Sequence, residues 1–420
     1  MNHEAPDKDN ALRSSSPGGE PSTSAATRAP VAEVFLVFLK LGMTSFGGPA
    51  AHIGYFRTEF VERRQWLDDS NYSDLVALSQ FLPGPASSKV GIALGLGRAG
   101  WPGAFAAWLG FTLPSALLLM LFAFGVTQWA ELTTSGAIHG LKLAAVAVVA
   151  QAVLGMSKSL CPDRTRAFIA VASTLLVLAM PSALGQVIAI LVGAVAGWRL
   201  LNLEALPVVQ HLDYGVNKRT GAVLLLSYVA LLVLLPLLAA GTDSLAVQMG
   251  AVFYKAGALV FGGGHVVLPL LETGIVGPGW LDHETFLAGY GAAQAVPGPL
   301  FTFAAYLGTA MPSPVGSWPG GLLALVAVFL PAFLLTPGSL PFWEALRQRV
   351  LVRRALGGVN AAIVGVLGAA LYDPVWTSAV RSKADFGIAL AAFGALVFGR
   401  VSPVWVVAGA SLAGWVFSSL

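Results

Sequence analysis

Two lysines stand where a passive membrane anchor would carry none. Lys40 and Lys255 each lie in an apolar segment, six residues ahead of a Phe-Gly-Gly stretch: Phe46-Gly47-Gly48-Pro49 and Phe261-Gly262-Gly263-Gly264. Glycine pairs weaken side-chain packing and proline removes a backbone donor, so neither segment continues as a plain helix. Proline is favoured at a helix start. Pro49, Pro85 and Pro299 fall where a new helix would begin, with Gly264 in the fourth equivalent place. Helix N-termini turned inward at these breaks present free N–H groups and partial positive charge, which is an anion site without a dedicated side chain. A lysine at a helix centre costs roughly 2.5–3.5 kcal/mol on insertion scales and usually lines a cavity or meets a counter-charge. No acidic residue repeats with Lys40 and Lys255, so a shared anion is the partner they suggest.

Other polar residues flank the breaks. Thr44, Ser45, Gln80, Gln294, Ser87, Ser88 and Thr302 could hydrogen-bond an oxyanion. Lys89 and Arg98 follow Pro83-Gly84-Pro85 but have neutral or apolar counterparts in the second half, which suits a cytoplasmic mouth. A plainer reading stands beside this one. The breaks are then kinks relieved by neighbouring helices, the lysines snorkel to the headgroups, and the hydroxyls and amides satisfy local backbone. His52 and His265 do not align with each other and read as structural, while Trp66, Trp101, Trp280 and Trp318 read as interface markers.

The elements that must position these groups are membrane helices. Of the 420 residues, 56% are hydrophobic and only 11% charged, less than half the share usual in a soluble domain. The length allows about ten or more apolar segments of roughly 20 residues. A net charge of +3, dispersed along the chain, gives no footprint for nucleic acid. The single cysteine, Cys161, excludes intrachain disulfides and cysteine-rich metal or iron–sulfur sites. No cofactor motif and no ATP-binding P-loop is present. Residues 1–30 lack the apolar core of a secretory signal and read as a disordered cytoplasmic tail.

The chain then repeats itself. Phe253-Tyr254-Lys255-Ala256-Gly257 mirrors Phe38-Leu39-Lys40-Leu41-Gly42, and Trp280-Leu281-Asp282 mirrors Trp66-Leu67-Asp68. Gln294-Ala295-Val296-Pro297-Gly298-Pro299 mirrors Gln80-Phe81-Leu82-Pro83-Gly84-Pro85, and Trp318-Pro319-Gly320 mirrors Trp101-Pro102-Gly103. An ordered series at a near-constant offset is a duplication: residues 31–210 and 248–420 form the two repeats, with 211–247 connecting them. The loop after the first Phe-Gly-Gly carries Arg57, Arg63 and Arg64, whereas its counterpart from Glu272 to Glu284 has no Lys or Arg. The next informative loop pair reverses this, with Arg347, Arg349, Arg353 and Arg354 in the second half only. Under the positive-inside rule the halves insert in opposite senses, an architecture of secondary transporters. The expected fold is an all-α polytopic membrane protein of two inverted-topology repeats with broken or re-entrant helices and about 9–13 hydrophobic segments. Four hairpins plus nine full spans fit the charges; kinked full crossings are the alternative.

The strings FGGP and QFLPGP, with their second-half copies FGGG and QAVPGP, resemble the chromate ion transporter family, and in particular its long two-domain members. The resemblance covers about residues 33–400. It implies efflux of chromate across the bacterial inner membrane, giving chromate resistance, with sulfate as a competing analogue. The motif residues it carries over are Phe46, Gly47, Gly48, Pro49, Pro83, Gly84 and Pro85, then Phe261, Gly262, Gly263, Pro297, Gly298 and Pro299; Gly264 replaces the fourth-position proline. The expected partners are chromate, sulfate, the lipid bilayer and, in a homo-oligomer, further copies of the chain. Transport of sulfate or another oxyanion, a membrane reductase and a scaffold are the rival functions.

Overall fold

The computed structural model describes residues 30–46, 48–128, 136–180, 183–202, 214–260, 267–312, 314–347 and 349–418. Among these residues the regular structure is entirely helical. In the first repeat α1 is Val31–Thr44, α2 Gly48–Arg57, α3 Asp69–Phe81 and α4 Ala86–Gln128. The last is broken at Ala99 and Gly100, whose backbone leaves the helical region, so it acts as two helices, 86–98 and 101–128. Then come α5 (Gly136–Leu160), α6 (Arg164–Ala179) and α7 (Ala183–Leu200). A connecting helix, α8 (Lys218–Ala240), leads to the second repeat: α9 (Leu245–Leu259), α10 (Val267–Ile275), α11 (His283–Ala295) and α12 (Phe303–Ala310). The chain ends with α13 (Ser317–Ser339), α14 (Val350–Ala370), α15 (Lys383–Val397) and α16 (Pro403–Ser418).

Helix starts follow from short polar side chains that accept the otherwise unpaired N–H groups of a first turn. Asp68 caps α3 through Asn71 N at 2.8 Å, and its repeat counterpart Asp282 caps α11 through Thr285 N at 2.7 Å. Asp163 caps α6, Asn217 caps α8, and Ser382 with Asp385 forms a capping box on α15.

The breaks produce helical hairpins rather than continuous kinked helices. Phe38 of α1 meets Phe56 edge-on at 5.6 Å and Phe60 at a tilt at 5.0 Å, and Glu33 reaches Arg64 at 3.2 Å, so the chain after Gly48 returns alongside α1. Arg98 lies over the Trp66 ring at 5.0 Å, closing the base of the hairpin formed by α3 and residues 86–98. In the second repeat Gly274 of α10 meets Val252 of α9, and the Tyr306 hydroxyl of α12 donates to Thr285 O of α11 at 2.8 Å. With 14 residues, α1 is about 21 Å long at 1.5 Å per residue, short of the ~30 Å hydrocarbon layer. Among the described residues, five helical stretches are long and apolar enough to cross it: 86–126, 136–160, 218–240, 317–342 and 350–379. The first of these contains the break at Ala99 and Gly100. The protein is a multi-pass membrane protein. On α8 only Gly221 is buried, and Leu226, Leu234 and Leu237 face outward, as a lipid-exposed helix requires.

The inversion is visible in one helix pair. Residues 101–128 and α13 are repeat counterparts that lie side by side: Trp108 meets Phe329 at 5.8 Å and Phe333 at 5.6 Å, whereas Phe124 meets Trp318 at 5.3 Å. Advancing along one helix means retreating along the other, so equivalent helices run antiparallel. The repeats also finish each other's cores. Helices α6 and α7 of the first pack on α14 of the second, and α15 and α16 of the second pack on α5 of the first. Thr174 donates to Gly365 O at 3.0 Å across one junction, and Ser411 to Ala137 O at 2.9 Å across the other. Backbones approach closely here: a Cβ on Gly358 would lie 2.0 Å from Gly193 O. Gly358→Val is therefore expected to lower the folding free energy by about 1–3 kcal/mol through overpacking, read as a lower thermal midpoint of the detergent-purified protein.

Candidate functional site

The four hairpin tips meet in pairs, each pair drawn from both repeats. Helices α1 and α9 end at Ser45 and Val260, which stand at equivalent positions with extended backbone, φ −88° and −78°. Their carbonyls leave the helix and are taken by the other repeat: Gly298 N–H donates to Ser45 O at 2.9 Å, and Gly84 N–H donates to Val260 O at 2.5 Å. Both glycines have left-handed backbone, φ +100° and +102°, which side chains with a Cβ adopt only with strain. The two bonds obey the repeat symmetry, joining the residue before each Phe-Gly-Gly stretch to the Pro-Gly-Pro glycine of the other half.

At the Ser45–Gly298 junction a buried histidine links Ser45 to Ser87. His52 is fully buried, its ring edge-on to Phe111 at 5.2 Å. Its Nε2–H donates to Ser45 O at 3.2 Å, which leaves Nδ1 of the neutral ring to accept from the Ser87 hydroxyl at 3.3 Å. Lys89 is also fully buried. Its ammonium donates to Leu82 O and, at 3.1 Å, to Pro83 O, the carbonyls released where α3 ends. Thr302 is buried with its hydroxyl on Pro299 O at 2.8 Å. Three buried polar atoms close by in sequence have no protein partner: Ser45 Oγ, Ser88 Oγ and Gln294 Nε2. A cavity of about 50 Å³ opens at this junction, lined by Gly48, Gly298, Gln294, Ala293, Val296 and Leu300, with Val148, Gln151 and Pro403 opposite. A glycine-lined turn, an unpaired amide donor and a second amide at membrane depth can hold a small oxyanion by hydrogen bonds.

Several expected residues sit elsewhere. Lys40 is exposed, Lys255 is half-buried, and neither lines the cavity. Thr44 is exposed and donates to Lys40 O at 2.8 Å, and Gln80 is exposed although its counterpart Gln294 lines the cavity. Lys89 belongs to a hairpin tip rather than a mouth, because the proline-rich turn has too few N–H donors of its own. Arg98 does lie at a hairpin base, over Trp66. Phe46 and Pro49 are half-buried; Pro83 and Pro297 are half-buried, and Pro85 and Pro299 buried, in the tips. Gly47, Phe261, Gly262, Gly263, Gly264 and His265 lie outside the described residues. Two residues were passed over on sequence grounds. His52 read as structural, and Gln151 went unremarked, though an amide midway along the 25-residue α5 was a usable signal.

The base of the first-repeat hairpins is strongly ionic. Arg57 pairs with Asp69 at 2.7 Å and Glu62 at 2.5 Å, and Glu59 takes Arg63 at 2.7 Å and Arg64 at 2.6 Å. Burial raises the Glu59 carboxyl, but the bond from Arg64 and the charges of Arg63, Arg64 and Lys40 outweigh it and hold it below the ordinary carboxylate range. The charge of Lys40 is thus felt at the hairpin base.

A family model described as Chromate transporter matches the chain twice, over residues 32–198 and 247–415. A chromate transport protein of Pseudomonas aeruginosa is 32% identical, over 94% of this chain and 95% of that protein. A chromate transport protein of Cupriavidus metallidurans is 29% identical, over 94% and 97%. A probable chromate transport protein of Synechococcus elongatus is 28% identical, over 80% and 82%. No solved structure matches the chain.

Proposed function

The chain belongs to the chromate transporter family, and from that premise we propose that it is a secondary transporter exporting chromate from the bacterial cytoplasm across the inner membrane, thereby conferring chromate resistance. The observation that carries this reading is the pair of symmetric bonds, Gly298 to Ser45 and Gly84 to Val260. Both join tips of opposite repeats, and the first lies beside a cavity lined by Gln294, whose amide nitrogen is unpaired. A tetrahedral dianion at that junction contacts both repeats at once. Inverted repeats that rock about such a junction expose it first to one side and then to the other. Export also has a driving force: a dianion leaving a cell with about 100 mV negative inside gains roughly 4.6 kcal/mol, twice the per-charge value.

Gln294 Nε2 is the donor assigned to the oxyanion. Gln294→Ala is expected to weaken apparent chromate affinity by about tenfold, the loss of one hydrogen bond to a charged acceptor, with the protein still folded. The test is radiolabelled chromate flux into proteoliposomes, with sulfate as competitor and with an imposed membrane potential. Chromate should move, sulfate should compete, and the potential should set the direction. Sulfate flux with neither chromate flux nor chromate competition would make the substrate another oxyanion.

A further inference from the structure

At the base of each hairpin pair an ion pair occupies equivalent positions in the two repeats, and the two ties differ in chemistry. In the first repeat Arg57, at the end of α2, holds Asp69, the first residue of α3, at 2.7 Å. At the repeat offset these positions become Glu272, near the end of α10, and His283, the first residue of α11, with Glu272 Oε1 3.0 Å from His283 Nδ1. The first tie joins an arginine to a carboxylate, side-chain types whose ordinary titration lies far from neutrality. The second joins a carboxylate to the one side chain that changes charge near neutrality.

Burial differs as well. The side chains of Arg57 and Asp69 are 47% and 59% exposed, whereas that of Glu272 is 7% exposed and that of His283 45%. Glu272 Oε1, although within ion-pair distance of the imidazole, has no aligned hydrogen-bond donor. It faces a cavity of about 320 Å³. Gln186, 5% exposed, lines the same cavity with its Oε1 unpaired and its Nε2 on Thr273 Oγ1 at 3.0 Å.

Among the described residues lining the cavity, the remaining ionisable group is an acid. Of the cavity-lining residues only Glu272, His283 and Asp373 titrate; α6, α7 and α14 contribute Val177, Gln186, Val366 and other neutral residues. Helix α9 meets α10 through Val252. Asp282, the α11 cap, and Asp373 both act on His283. The nearby Glu284 is engaged by Lys142 at 3.3 Å and Arg381 at 3.1 Å.

We propose that Glu272 and His283 form a proton-binding latch on the α10–α11 side of the transporter, the switchable counterpart of the Arg57–Asp69 latch on the opposite side. It deepens the transport reading and rests on it. With His283 protonated and Glu272 ionised, the latch holds the second-repeat hairpins together. Loss of the imidazolium proton to the cavity leaves the Glu272 carboxylate beside a neutral imidazole, and with the ion pair gone that side opens more readily. The proton is the ligand, and its effect is one-sided.

The test uses full-length protein in proteoliposomes, with chromate flux measured as pH is stepped between about 6 and about 8.5 on one side at a time. The expected result is a rise of about fivefold, the upper end of what a partly exposed ion pair contributes, when the α10–α11 side is made alkaline, and little response from the other side. His283→Arg, which restores a permanent pair, and Glu272→Gln should both flatten the profile. An equal response from both sides, or a profile retained in His283→Arg, would overturn the latch. A second readout needs no anion. A nitroxide on Val276→Cys at the cavity edge, in a Cys161→Ser background, should report a pH-dependent line shape that His283→Arg abolishes. A pH-insensitive line shape overturns the proton site. A pH-dependent line shape in protein that carries no chromate supports the proton site and overturns the transport reading instead.

Discussion

Lys89→Met is expected to reduce chromate flux at least about tenfold while leaving a folded, membrane-inserted protein. The tip of the first Pro-Gly-Pro hairpin is short of donors. Pro83 and Pro85 have no N–H, and the N–H of Gly84 is committed to Val260 O. The carbonyls of Leu82 and Pro83 are left to the buried ammonium of Lys89, which donates to both. Methionine keeps the bulk of the stem and removes both bonds. Each orphaned buried acceptor costs about 1–3 kcal/mol, and at membrane depth no water compensates. Removing the amine also removes the cost of burying a charge, so the global stability change is smaller than the sum. The local consequence is not offset, because the carbonyls turn toward another donor only by moving the tip that holds Gly84 against Val260. Lys89→Arg should fail too, since a fully buried ammonium pocket has no room for a guanidinium fork. Flux and thermal midpoint measured on the same preparations check this; wild-type flux in Lys89→Met removes the tip role.

The second large effect is expected at Gly298. Gly298→Ala places a residue with a Cβ at φ +100°, at a strain of about 1–3 kcal/mol. That Cβ would also sit 2.9 Å from Ser115 Oγ and 3.2 Å from Phe111 O. Gly84→Ala carries the same strain at φ +102°, but its nearest neighbour is Gly257 O at 3.4 Å, an ordinary contact. Flux should therefore fall in both variants, by about tenfold or more in Gly298→Ala and by less in Gly84→Ala. Adding Ser115→Ala removes the atom in closest contact and should recover part of the Gly298→Ala loss. Equal losses in the two glycine variants, or no recovery with Ser115→Ala, would locate the defect in backbone strain alone.

Comparison of the two tips shows where sequence reasoning reached the site and where it stopped. The breaks at Phe46-Gly47-Gly48-Pro49 and Pro83-Gly84-Pro85 are local backbone facts, and their second-half copies mark a duplication. Gln294 was legible as a polar residue beside a break, and it lines the cavity; Gln80, equivalent by the same rule, is exposed. Lys40 and Lys255 attracted attention because a charge in an apolar run is costly. Lys40 resolves that cost by reaching outward, while Lys89, read as a mouth residue, is the lysine that the tips bury. The difference lies in carbonyls that no sequence rule counts, since which backbone acceptors go unpaired depends on how the hairpin closes.

Composition, repeat and loop charge by themselves determined an all-helical membrane protein of two opposed halves with helices interrupted at matched positions. These follow from short-range chemistry: apolar runs seek lipid, Gly and Pro interrupt helices, and basic loops stay on one side. Only the tertiary structure decided that each break is capped by the opposite repeat, that α6–α7 and α15–α16 complete each other's half, and that one basal tie is Arg57–Asp69 while its counterpart is Glu272–His283. The first two outcomes depend on contacts between residues far apart in the chain and the ties on how neighbouring helix ends meet; in each case the geometry of packing, and not the local preference of any segment, selects the partner.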